Sequence, residues 1–241
     1  MTACDPLDRL LQTLRVYAPG VTDDMLKLQV YNTLDEFFRR TNAWRYEDEI
    51  QLSEDANEYQ FNVPGDVSIV RLLGVTHNGM TVPSGSQIGA LQSSVGHINP
   101  ELTFVDGDAQ FHPDDTDLDE GTGLFSYSVF VPGYITLVTR PNADQTQYPL
   151  KAWLALSVGP KCIESNCDDW SVEEWMYQTY FQDWLDGVLG RLFAMPMKPW
   201  ASPQLAIYHG KRFRNAMALR KQEATRGFIY APPPPIRFRS W

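Results

Sequence analysis

The chain has 241 residues, 43% of them hydrophobic and 12% aromatic, with twenty Lys and Arg against thirty Asp and Glu for a net charge of −10. That length and apolar content support an ordered core in one large or two small domains and exclude a disordered chain. No run of eighteen apolar residues is present to span a membrane, and so acidic a body repels a phosphate backbone.

The opening "MTACDPLDRLLQ" carries acids where a secretory leader needs a basic region, so the expected place of synthesis and residence is the cytosol. Cys4, Cys162 and Cys167 are an odd and sparse set, as expected of reduced thiols. The net charge hides a split. From Arg191 onward ten Lys and Arg face one acid, Glu223, giving +9; the rest holds ten basic and twenty-nine acidic residues, giving −19. Two such halves suit two surfaces with different partners, or simply a last helix with a basic solvated face.

Asp5 as N-cap, Pro6 at the first helical position and leucines at 7, 10, 11 and 14 predict a short amphipathic helix that breaks at Ala18-Pro19-Gly20. A second helix is expected after Thr22, with Asp23 and Asp24 complementing its dipole. It runs through Leu26, Val30, Leu34, Phe37 and Phe38 to about Asn42. The period then changes. "YQFNV" alternates, "VTHNGMTV" places Asn78-Gly79 between alternating runs as a hairpin turn, and "LFSYSVFV", "YITLVTRP" and "KAWLALSV" read as further strands.

Helical pattern returns at Ser171, which with Glu174 forms a capping-box pair; the helix should end near Met195, before Pro196. Gly187 and Gly190 lie on one face of it, where another backbone could approach closely. Pro196 and Pro199 then forbid continuation and Trp200 offers an apolar plug for the bend. Ser202 and Pro203 open a last helix that ends near Arg226, with Gly227 as its left-handed cap. The expected fold is α+β. A helical bundle is built from the N-terminal helices (residues 1–43) and a C-terminal hairpin (166–227), with a β-rich module (44–165) inserted and an extended Pro-rich arm (228–241) at the end.

Chemistry is hard to find. Asp115, Asp117 and Asp119 occupy the first, third and fifth positions of an EF-hand pattern, but Glu120 stands where glycine is needed and Ser126 where the last glutamate is needed. Cys162 and Cys167 have no second cysteine pair, and His77, His97, His112 and His209 are scattered. No nucleophile elbow or phosphate loop is present. No metal, cofactor or catalytic residue is expected, and the chain reads as a non-enzyme.

Two stretches read as binding surfaces. The last helix presents Lys211, Arg212, Arg214, Arg220, Lys221 and Arg226. In the arm, Pro232, Pro233, Pro234 and Pro235 hold an extended conformation without backbone donors. Before them stand Phe228, Ile229 and Tyr230, and after them Ile236, Arg237, Phe238, Arg239 and Trp241. Burying these apolar anchors gains about as much as ordering the backbone costs, so the arm is expected to dock only on a preformed groove, helped by many copies acting together.

In order along the chain, "LDEFFRRTNAWRYEDEI", "YQFNVPGDVSIVRLLGVTHNG", "YITLVTRP", "LALSVGP" and the helix–corner–helix "EEWMYQTYFQDWLDGVLGRLFAMPMKPWASPQLAIYHGKRF" resemble the head-to-tail adaptors (connector or head-completion proteins) of short-tailed bacteriophages. One departure is Asp186-Gly187-Val188-Leu189-Gly190, where such proteins often carry alanines. The arm matches no motif of the family. The resemblance implies a virion protein at the head–tail interface, a homo-oligomeric ring of twelve copies beneath the portal. It would prolong the channel through which packaged DNA passes without sequence-specific binding. Its partners would be the portal ring, bound by the arm, and tail nozzle or tail tube proteins, met by the β module. Two other readings remain from other classes: a nucleic-acid-associated factor using the basic helix, and a calcium-stabilised adhesion or tail-fibre module.

Overall fold

The computed structural model describes residues 6–65, 67–84, 126–129, 133–138, 140–159 and 172–226. The fold is α+β, and the chain divides into two compact units.

The helical unit is drawn from Met1–Arg45, Pro64–Ser68 and Ala155–Trp241. Helix α1 spans Pro6–Tyr17, and the leucine stripe explains it: Leu7, Leu10, Leu11 and Leu14 are all buried. Helix α2 covers Asp23–Thr41 and buries Leu26, Val30, Leu34, Phe37 and Phe38. Its start relies on Thr22 backbone and on Asp23 and Asp24, since the Thr22 side chain makes no capping bond. Its end is a left-handed cap at Asn42, φ 53°, whose N–H donates to Phe38 O at 2.9 Å.

Helix α3, Glu174–Phe193, is the centre of this unit; α1, α2 and the last helix α4, Pro203–Arg226, all pack on it. Position explains its unusual sequence. Where the other helices cover it no polar face is left, and every residue from Trp184 to Leu189 is buried, whereas Gln178, Thr179 and Gln182 nearer its start stay exposed. Trp184 meets Phe37 and Phe38 of α2 at ring-centroid distances of 6.0 and 5.9 Å, and Tyr180 meets Phe37 at 5.1 Å.

The β unit is drawn from Tyr46–Val63 and Ile69–Leu154. Its strands are β1 (Arg45–Ile50), β2 (Glu58–Gln60), β3 (Val67–His77), β4 (Met80–Thr81), β5 (Tyr127–Ser128), β6 (Tyr134–Leu137) and β7 (Leu150–Val158). They form a four-stranded sheet in the order β1-β7-β3-β4 and a three-stranded sheet in the order β2-β6-β5. The Asn78-Gly79 turn is as expected: φ is positive at both residues, 48° and 76°, and Thr76 pairs with Thr81 and His77 with Met80. In the smaller sheet Tyr59 opposes Ile135 in antiparallel register, and both are buried.

Three boundaries differ from the sequence reading. "YQFNV" yields the three-residue β2, and the described part of "LFSYSVFV", residues 126–129, yields the two-residue β5. Helix α3 begins at Glu174, with Glu173 as its N-cap residue, and so not with a Ser171 capping box. Ser171 lies outside the described residues, as do the three cysteines, Gly227, residues 115–125 and the arm. Finally, the division between the units runs through β7 and not behind it. The last four residues of β7 belong to the helical unit, where the buried Ser157 hydroxyl donates to Asp35 Oδ1 at 2.8 Å and Leu156 N–H to Trp44 O at 2.9 Å.

Candidate assembly site

Two helices that turn back on each other need a fixed corner and a close seam. At the corner, Pro196 and Pro199 are exposed and Met197 takes a left-handed φ of 59°. Ser202 N–H donates to Phe193 O at 3.0 Å, and Ala201 N–H to Lys198 O at 3.0 Å, closing the bend with backbone bonds. Trp200 is half-buried, with Lys198 Nζ 6.0 Å from its ring centroid; its indole N–H is buried without a partner among the described residues. It is a partial plug, not a filled core position.

The seam is made by glycines. A Cβ on Gly190 would lie 3.0 Å from the backbone N of Gly210 on α4. A Cβ on Gly187 would be inside contact distance of Thr33 Cγ2 on α2 and 2.8 Å from Phe213 Cε2 on α4. Residues equally far from the corner face one another across this seam.

That mirror register decides the fate of the basic helix. Asp186 is buried on α3, and His209 Nδ1 lies 2.7 Å from its Oδ1 while Arg212 Nε lies 3.1 Å from its Oδ2. Arg212 also donates to the Tyr208 hydroxyl at 3.0 Å; that bond, with the Asp186 charge behind it, raises the guanidinium pKa. Arg220 binds Asp183 at 2.8 Å and Glu223 at 2.8 Å, over the face of Tyr180 at 5.4 Å. Burial alone would lower the Arg220 pKa; its bonds to Glu223 and Asp183 outweigh that and leave it raised. Arg220 is therefore largely taken up by the seam, whereas Arg212 reaches Asp186 from an exposed position at its edge. Asp186, Asp183 and His209 did not stand out in the sequence. Reflecting the chain about the corner would have found them, because it brings the acids of α3 opposite the bases of α4.

Lys211, Arg214, Lys221 and Arg226 are the cations that remain. They are exposed and make no ion pair among the described residues. Lys211, Arg214 and Lys221, with Ala218 between, follow the three- and four-residue spacing of one face. Ile207 and Leu219 stand exposed on the same helix. The acids of the helical unit are, by contrast, often engaged: Asp35 with Arg39 at 2.7 Å, Glu36 with Arg40 at 2.9 Å and also with Arg191, and Asp23 with Arg15 at 2.9 Å.

Among the described residues no group of three or more His, Cys, Asp or Glu is placed to hold a metal, and no helix is long and apolar enough to cross a membrane. What the arrangement offers is a stiff hairpin displaying positive charge. No family model matches the chain, and neither does any curated protein.

Proposed function

We propose that this chain is a non-enzymatic structural virion protein: a head-to-tail adaptor of a short-tailed bacteriophage that forms a twelve-fold ring beneath the portal. One observation carries the reading. Helices from both ends of the chain build one unit, a β unit is inserted between them, and a locked helix–corner–helix follows, which is the order of elements in the sequence resemblance. A glycine seam suits a ring component, because a hairpin with its backbones in contact keeps its shape under load.

In this reading the helical units join to form the ring, the β units face the tail nozzle or tube, and the arm from Phe228 to Trp241 docks on the portal. The acidic body lets packaged DNA slide past without sequence-specific binding, while exposed cations meet acidic protein surfaces. The protein would thus be found in the host cytoplasm before assembly and at the head–tail interface of the virion afterwards. The nucleic-acid reading draws less support, since Arg212 and Arg220 are already paired with carboxylates of α3.

The test is co-sedimentation of the chain with portal rings of the same phage. Charge reversal in the arm, Arg237→Glu with Arg239→Glu, should weaken binding about tenfold. Unchanged binding counts against the arm as portal anchor, and a mobility shift on DNA that resists salt would favour the nucleic-acid reading.

A further inference from the structure

The positive face of α4 is a site still to be matched with its occupant. Lys211, Arg214 and Lys221 project from one side of the helix, exposed and in no ion pair among the described residues. The chain itself contains the complementary charge. Between Arg71 and Arg140 there is no Lys or Arg at all, while the interval holds eight acids, five of them concentrated at Asp114, Asp115, Asp117, Asp119 and Glu120. Neighbours in sequence offer these carboxylates no compensation. Several described acids have their cations either one helical turn away, Arg39 for Asp35 and Arg40 for Glu36, or on a paired strand, Lys151 of β7 for Glu47 and Glu49 of β1.

We propose that the Lys211–Arg214–Lys221 face receives the acidic segment Asp114–Glu120 of a second copy of this chain. The spans agree. Ten helical residues from Lys211 to Lys221 rise about 15 Å, and six residue steps from Asp114 to Glu120 reach at most about 20 Å. Several charge pairs along one line give register as well as attraction, because a shifted partner leaves like charges opposed. Ile207, one helical turn before Lys211, is exposed beside the stripe, and Leu118 would supply the apolar side chain to meet it. The inference deepens the ring reading by naming what joins one copy to the next, and it rests on that reading only for the choice of a second copy as donor.

Two measurements on the full chain test it. The first is fluorescence anisotropy with a labelled peptide of residues 111–122. It should bind the wild-type protein at about 0.1 M salt and be released at about 1 M. The variant Lys211→Glu, Arg214→Glu, Lys221→Glu, whose helical circular dichroism should be unchanged because these side chains make no ion pair among the described residues, should lose at least tenfold in affinity. No binding to the wild type, or equal binding by the variant, overturns the proposal. So does a single-stranded DNA of equal charge that binds this face more tightly than the peptide. The second is sedimentation velocity of that variant mixed with Asp114→Lys, Asp115→Lys, Asp117→Lys. Each alone should be monomeric and the mixture should associate. A mixture that stays monomeric overturns the second-copy assignment. Neither measurement involves the portal, so a chain that fails to join portal rings yet passes both would reject the adaptor reading and leave this contact standing.

Discussion

Asp186 is the residue on which the hairpin seam is most exposed to a single change. Its carboxylate is buried and serves both His209 and Arg212. Replacing it by Ala leaves two polar partners facing an apolar gap, and Asp186→Ala should lower the stability of the chain by about 1–3 kcal/mol in urea denaturation. Asp186→Asn keeps an acceptor and should lose less; equal losses would mean that packing, not pairing, is the role of this side chain. Tyr180 makes a second test. Burial raises its pKa above the ordinary value of 10, against a smaller opposing pull from Arg220. The unfolded chain therefore loses the phenolic proton first, so the stabilisation is complete below pH 10 and declines as pH rises beyond it. Tyrosinate absorbance should show late-titrating tyrosine in the folded protein, and urea midpoints should fall from pH 9 to pH 11. A flat profile across that range would contradict the assignment.

Helix contacts set the scale at which the glycines matter. Gly190 and Gly210 face each other across the seam, yet they are not equivalent. A methyl on Gly190 strikes the α4 backbone, while one on Gly210 meets nothing within 4 Å. Gly190→Ala should destabilise, by about 1–3 kcal/mol. Gly210→Ala should stabilise by up to about 1 kcal/mol, because alanine favours the helix and loses less freedom on folding. Thermal melts of the two variants check the pair, and a similar response from both would contradict the asymmetry. The glycine spacing on α3 was visible in the sequence, as were the leucine stripe of α1 and the Asn78-Gly79 turn, because each signal is local. Ion pairing was not, since whether Arg220 faces water or Asp183 depends on the register of two helices joined by a corner. The capping box failed for a related reason: Ser171 and Glu174 have the right spacing, but α3 starts two residues later than that cap requires, with Trp175 donating its indole N–H to Glu173. The short strands β2 and β5 show the same limit, because an alternating pattern marks which residues could pair and not how far a partner strand extends.

For the molecule as a whole, charge is sorted by place. Acids of the helical unit are often neutralised by local partners, and two of the arginines that make the C-terminal part basic belong to the seam. The exposed cations without an ion pair among the described residues make a narrower positive face than the sequence suggested. Its outward charge makes association by this face salt-dependent, and raising salt from about 0.1 M to about 1 M should dissociate it while the folded hairpin persists. A helical circular dichroism signal that fell together with association would show instead that the two depend on the same ion pairs. The α+β layout was legible because the hydrophobic period changes twice along the chain, from helical to alternating and back. The line between the units was not, since β7 reads as one strand and only its buried second half, at Ala155–Val158, reveals that it ends among helices.

The central claim is that the chain works by assembling. Native mass measurement of the full chain, alone and mixed with portal rings of the phage proposed to encode it, tests it most directly. The account predicts that the mixture contains a closed complex with a fixed number of copies, twelve if the resemblance holds, and that the arm variant Arg237→Glu, Arg239→Glu depletes it. A chain that remains a solitary monomer in the presence of portal rings, at every ratio, would contradict it.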